Sequence, residues 1–203
     1  MQPYYQDDAV TIYHGDCRDI VPTLGKFDLL LTVPPYGIGI AANPVRQKHA
    51  RRDWDNSPAS HQDLACSISA TSHQVIWGGN YFGLPAAKCF LVWDKMQPQD
   101  FSLAMCEMAY CSFDLPAKMF RKSVLSYTKT HPTEKPLELM TWCISLLDGD
   151  NHETFQTILD PFAGSGTTGR AAKDLGRKAT LIEREEKYCE IAARRMAQEV
   201  FKL

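Results

Sequence analysis

Neither sign of charge dominates this chain of 203 residues, in which 22 lysines and arginines face 24 aspartates and glutamates for a formal net charge of -2. A global electrostatic pull toward nucleic acid or an acidic membrane is therefore excluded, and any DNA contact must rest on a local basic patch. No apolar run approaches the roughly twenty residues of a membrane span. The polar, acidic stretch from Met1 to Asp8 lacks the pattern of a secretory signal. The seven cysteines (Cys17, Cys66, Cys89, Cys106, Cys111, Cys143, Cys189) contain no C-x-x-C pair. An odd count without a signal points to reduced thiols in a cytoplasm, and no zinc or other metal site is expected. No repeat, low-complexity segment or linker divides the chain. With 44% hydrophobic and 23% charged residues, the expectation is a single domain over 1–203 with a real core.

What the chain does have is a glycine-rich stretch, Leu159-Asp160-Pro161-Phe162-Ala163-Gly164-Ser165-Gly166-Thr167-Thr168-Gly169-Arg170. A β-branched run (Thr157, Ile158) precedes it and a helix-forming segment from Ala171 follows. Such a strand, turn and helix lets a ligand approach the backbone closely and offers it free N–H groups. Three nucleotide-like ligands compete. A P-loop is excluded, because Arg170 stands where lysine is needed and Ala171 where a hydroxyl would hold magnesium. A dinucleotide fold fits locally, since Gly164, Gly166 and Gly169 are followed by the acid Glu183. It fails globally, because only about twenty residues follow Glu183 where several more strands are required. The third is S-adenosylmethionine, whose ribose hydroxyls an acid can grip and whose ammonium group suits Asp160.

Along the chain, Val10 to His14 reads as a strand ending in Gly15-Asp16-Cys17, then a short helix over Arg18 to Leu24. Phe27 to Thr32 is an apolar run suited to a buried parallel strand. It ends in Val33-Pro34-Pro35-Tyr36-Gly37, a stiff loop at a strand's carboxyl end, where open α/β sheets bind ligands. The segment 41–56 carries Arg46, Lys48, His49, Arg51, Arg52 and Trp54. By itself it reads as a solvated connection; beside the Pro-Pro-Tyr loop it is a lid that could track phosphates. Ser60 to Ala70 reads as helix, Gln74 to Trp77 and Lys88 to Trp93 as strands. Residues 105–113 and 117–120 read as an antiparallel pair. Lys118, Arg121, Lys122 and Lys129, with Tyr127 interleaved, form a second basic stretch, equally readable as a solvated edge strand. His131 to Pro136 leads into a helix over Leu137 to Leu147. A strand over Ala179 to Ile182 and a helix from about Glu185 to Glu199 close the chain.

Three sequence-distant pieces thus fall at strand ends: Pro34-Pro35-Tyr36, His131-Pro132-Thr133-Glu134-Lys135-Pro136, and Asp160 to Thr168. Together they resemble the amino-methyltransferases of DNA, the N6-adenine and N4-cytosine family, in its β-type motif order with the catalytic motif first and the cofactor motif last. The resemblance implies a Rossmann-like, S-adenosylmethionine-dependent α/β fold, a mostly parallel sheet with an antiparallel edge and a circularly permuted motif order. The strands missing after Glu183 would then lie upstream. It also implies roles. Asp160, Phe162, Gly164, Ser165, Gly166 and Thr167 would hold the methionine part of the cofactor, and Glu183 its ribose. Asp16 and the Cys17 backbone would read its adenine, with helix capping as the plainer role for Asp16. Lys135 would close the methionine end. Double-stranded DNA would be the partner, recognised by 41–129 or by a partner subunit, a homodimer being one way to supply a second DNA-binding surface. The setting would be a bacterial or phage-encoded system, restriction-modification among others.

The chemistry asks little of the protein. An exocyclic amine is a poor nucleophile until hydrogen bonds from its N–H groups localise the lone pair and aim it. The base must also leave the duplex for an aromatic platform. Tyr36 suits the platform and the Pro34 carbonyl one acceptor, with Pro35 stiffening the loop. The family's pattern, usually Asp-Pro-Pro-Tyr, is broken at Val33, which offers no acceptor. An unpaired amine N–H costs about 1–3 kcal/mol, and losing one preorganised group costs on the order of 10²-fold in rate. The expectation is an impaired or inactive methyltransferase, adenine N6 favoured, by natural variation or by engineering. The alternatives are a cofactor- and DNA-binding module without turnover, and a methyltransferase of RNA or protein amines.

Overall fold

The computed structural model describes residues 2–38, 59, 61–98, 100, 104–127, 134–147 and 155–198. In chain order the strands are β1 (Tyr5–Gln6), β2 (Val10–His14), β3 (Phe27–Thr32), β4 (Thr71–Trp77), β5 (Cys89–Asp94), β6 (Cys106–Cys111), β7 (Lys118–Arg121), β8 (Thr157–Asp160) and β9 (Lys178–Glu183). The helices are α1 (Cys17–Ile20), α2 (His61–Ser69), α3 (Leu137–Leu147), α4 (Thr167–Asp174) and α5 (Glu186–Met196). The strands join in one sheet in the order β1-β2-β9-β8-β3-β4-β6-β5-β7.

The centre of the sheet is parallel. β2 pairs with β9, β9 with β8, β8 with β3 and β3 with β4, all in the same direction. Leu29, Leu30, Leu31 and Thr32 are fully buried, as unbroken apolar runs in parallel strands should be when both faces are covered. Successive side chains take opposite faces. Leu29 and Leu31 pack with Met140, Cys143, Ala171, Cys189 and Ala192, under α3, α4 and α5. Leu30 packs with Cys17, Ile20 and Leu64, under α1 and α2. Helices on both faces make this a doubly wound α/β sheet, flanked by the antiparallel strands β1 and β6.

One expected pairing is corrected. The stretches 105–113 and 117–120 do not pair with each other: β6 runs antiparallel to both β4 and β5, and β7 runs parallel to β5. The reason is that β6 has no free edge left, having spent one side on β4 and the other on β5. β5 buries Cys89, Leu91 and Trp93 in strict alternation, and its outer edge is what β7 joins. The mostly exposed Lys118-Met119-Phe120-Arg121 suits an edge strand. The expected helix after Asp16 also splits. α1 ends at Ile20, and Val21–Thr23, with Pro22 near its start, continues as a 3-10 turn.

Candidate active site

The five central parallel strands deliver their carboxyl ends to one edge, and most of the residues singled out in the sequence meet there. β2 ends before Asp16, β3 before Val33, β8 at Asp160 and β9 at Glu183. A cavity of about 260 Å³ opens over them, lined among others by Asp16, Val33, Pro35, Lys135, Phe162 and Glu183. Cys17, Asp160, Gly164, Ser165 and Thr167 also line it; Pro34, Tyr36 and Gly166 are not among its lining residues.

The glycine-rich stretch is a tight turn between β8 and α4. Asp160 is buried and accepts hydrogen bonds from the Thr32 hydroxyl at 2.7 Å and the Phe162 amide at 3.2 Å. Burial raises its pKa against the opposing pull of these bonds and of Thr168. Gly166 caps α4 in the left-handed region, φ 79°, and a Cβ there would meet Ala192 of α5 at 2.8 Å. Only glycine lets the turn and α5 close this tightly. The Gly164 amide donates to Glu183 Oε2 at 2.7 Å and the Glu185 amide to Oε1 at 2.8 Å. Burial raises the pKa of Glu183, and these amides oppose it. Glu183 is therefore a turn-bracing acid as well as a cavity wall.

Asp16 does cap α1. Its Oδ1 accepts from the Arg18 amide at 2.9 Å, and the Arg18 guanidinium grips both oxygens. That grip holds the carboxyl below its usual range. Cys17 is buried behind it, and burial pushes its thiol up to about 12, so it is an inert wall and not a nucleophile.

In the Pro-Pro-Tyr loop, Pro34 is buried and Val33 half-buried, the latter packed against the larger core cluster. The Tyr36 ring is held from several sides. Gly78, φ 75°, lies so close to it that any Cβ would collide with the ring. Tyr81 stacks on it at 5.2 Å with a 20° tilt, and Phe82 meets it edge-on at 6.3 Å. Its hydroxyl donates to Glu107 at 3.0 Å. A ring so constrained is preorganised before any ligand arrives.

Glu134 and Lys135 line the same cavity as the glycine-rich turn and are pinned on both sides. Arg195 of α5 pairs with Glu134 at 2.6 Å and donates to the Thr167 hydroxyl at 2.7 Å. Lys135 pairs with Glu107 of β6 at 2.9 Å, and the Tyr127 hydroxyl donates to the Glu134 carbonyl at 3.0 Å. Burial, then the Glu107 and Glu134 charges, raise the Tyr127 pKa. Glu107 and Arg195 were not among the candidate site residues of the sequence. Glu107 left a faint signal as a lone acid in the strand Cys-Glu-Met-Ala-Tyr-Cys, whereas nothing local marks Arg195.

The second basic stretch is not a row of free cations. Arg121 lies 3.3 Å from Asp94 and Lys122 2.9 Å from Glu138. Lys129 and the segments 41–56 and 131–133 lie outside the described residues, so the proposed lid and the His131 end of its motif are not placed.

A cavity over a glycine-rich turn at the carboxyl edge of a mostly parallel, doubly wound sheet defines a Rossmann-like fold built for a nucleotide-like cofactor. A family model described as DNA methylase matches residues 67–194, and the chain belongs to that family of DNA amino-methyltransferases. Type II methyltransferase M2.MboI of Moraxella bovis is 26% identical over an alignment of 252 positions, spanning 96% of this chain and 91% of that protein. M2.DpnII of Streptococcus pneumoniae is 44% identical over 80 residues, 38% of this chain and 28% of that protein. Among solved structures, the M1.HpyAVI complex with S-adenosylmethionine superposes with a TM-score of 0.60 at 23% identity, covering 93% of this chain and 100% of that one. The cytosine-N4-specific PvuII DNA methyltransferase reaches 0.64 at 15% identity, covering 99% and 91%. These two likenesses are of fold.

Proposed function

We propose that this chain holds S-adenosylmethionine over the glycine-rich turn beside an exocyclic amine of a base flipped out of double-stranded DNA, adenine N6 ahead of cytosine N4, and that Val33 leaves this form impaired. The observation that carries the reading is convergence: one cavity is lined both by Val33 and Pro35 of the Pro-Pro-Tyr loop and by Asp160, Gly164 and Glu183 of the cofactor turn.

The donor set fits that cofactor. A buried carboxylate at Asp160 suits an ammonium, whose charge would favour the ionised form that burial disfavours. Glu183 accepts backbone amides on both oxygens, and a carboxylate's roughly four lone-pair sites leave capacity toward a ribose hydroxyl. Phe162, Ser165, Gly166 and Thr167 shape the methionine end, Lys135 closes it, and Asp16 with the Cys17 backbone lies at the adenine end. When bound, S-adenosylmethionine supplies an electrophilic methyl group on a sulfonium. The protein's own part is placement. Tyr36 is the aromatic ring that would carry the base, and the Pro34 carbonyl accepts one amine N–H. Position 33 is where a carboxylate would accept the second, and valine cannot.

The alignment to M2.MboI is longer than this chain, so that relative carries segments this chain lacks. In this reading, sequence recognition is short and falls to 41–129 together with a second copy of the chain. Mixed-sequence duplex DNA incubated with the protein and S-adenosylmethionine, then digested for mass spectrometry, is expected to yield N6-methyladenine at low level. N4-methylcytosine would reassign the base. Tight cofactor and DNA binding with no methylated base would favour the second reading, a binding module without turnover, which Val33 itself recommends.

A further inference from the structure

β6 runs antiparallel to β4, so its amino end lies at the same edge of the sheet as the carboxyl ends of the parallel strands. Glu107, the second residue of β6, points one carboxylate at three partners. Oε1 lies 2.8 Å from Lys95 Nζ, while Oε2 lies 2.9 Å from Lys135 Nζ and accepts the Tyr36 hydroxyl at 3.0 Å. The cluster is largely buried: side-chain exposure is 18% for Glu107, 14% for Lys95 and 4% for Lys135. The Lys135 ammonium also stands 5.3 Å from the centre of the Tyr36 ring. Two of these partners come from the two halves of the site. Tyr36 belongs to the loop after β3 that receives the base, and Lys135 to the segment that borders the cofactor cavity.

We infer that Glu107 is a positioning residue that ties the base platform to the cofactor cavity, by fixing the Tyr36 hydroxyl and the Lys135 ammonium on one carboxylate. Its physical basis is that a buried ammonium without a counter-charge is costly and would leave its place. Glu107 thus supplies a counter-charge that holds Lys135, and a displacement of Lys135 is felt by Tyr36 through the shared oxygen. Cofactor binding beside Lys135 and base binding on Tyr36 are then linked, each strengthening the other by the same factor. The inference rests on the roles proposed above for Tyr36 and Lys135.

The test is equilibrium binding, independent of turnover. S-adenosylmethionine is titrated by calorimetry, and a mixed-sequence duplex bearing 2-aminopurine by fluorescence, with and without saturating cofactor. This is done for the parent, Glu107→Gln, Tyr36→Phe and the double variant. The parent is expected to bind the duplex roughly ten-fold tighter with cofactor than without. Glu107→Gln and Tyr36→Phe each reduce that factor to about one, and the double variant changes it no further, because both remove the same link. A factor unchanged in Glu107→Gln, or losses that add in the double variant, would overturn the inference. Should Glu107→Gln melt too low to assay, Tyr36→Phe decides alone: a retained factor contradicts the link and a lost one supports it. A parent that binds no S-adenosylmethionine would instead sink the methyltransferase reading itself.

Discussion

At position 33, in the proposed reading, one side chain decides whether the amine finds its second acceptor. Val33 is half-buried and packs on the core, so valine is comfortable there while contributing nothing to an amine. Gly166 is the opposite case, a residue whose replacement the fold resists. Gly166→Ala is expected to cost about 1–3 kcal/mol from the left-handed φ and the clash with Ala192, and to weaken S-adenosylmethionine binding. Denaturant unfolding and calorimetry check the two halves; an unchanged midpoint would contradict them. The residues of this turn were legible because their chemistry is contiguous in the chain and Glu183 follows at a fixed spacing. Glu107 was not, because its meaning lies in Tyr36 and Lys135, which only the tertiary fold brings to it.

Among the elements, the 134–136 segment is held by side chains rather than by regular structure. Arg195 reaches from α5 to both Glu134 and Thr167, so it clamps the segment to the glycine-rich turn. Arg195→Ala is expected to weaken S-adenosylmethionine about ten-fold, the cost of one charge-assisted contact, with a smaller effect on the melting temperature than Gly166→Ala. Equal cofactor affinity in the variant would show that the clamp is idle. The elements themselves were largely readable. β2, β3 and α3 fall where apolar pattern and punctuation put them, because each has a complete period and a clear stop. The pairing of β7 was not readable, since a short exposed strand carries no sign of which edge is free. That depends on β6 being already paired on both sides, a fact of topology and not of local sequence.

For the molecule as a whole, a nearly balanced charge hides buried acids that act in opposite senses with pH. Glu107 is opposed by burial but held by Lys135 and Lys95, and its carboxyl falls from 4.5 to about 2 in the fold. A depressed acid stabilises the folded state above its ordinary pKa and loses that stability as pH falls from 4.5 toward 2, a contribution of roughly 3 kcal/mol. Asp160 and Glu183, raised by burial, do the reverse: their penalty is absent at low pH and grows as pH rises past the ordinary carboxyl range. Unfolding free energy is therefore expected to drop from pH 5 to pH 3 more steeply in the parent than in Glu107→Gln. Parallel slopes would contradict the assignment. The doubly wound sheet and the order of its motifs were legible at this scale; the carboxylate network beneath the site was not. The most direct test of the account is transfer of labelled methyl from S-adenosylmethionine to mixed-sequence duplex DNA, by the parent and by Val33→Asp side by side. Val33→Asp is expected to transfer methyl at least about 10²-fold faster than the parent. Equal rates would show that Val33 does not occupy the place of the missing carboxylate.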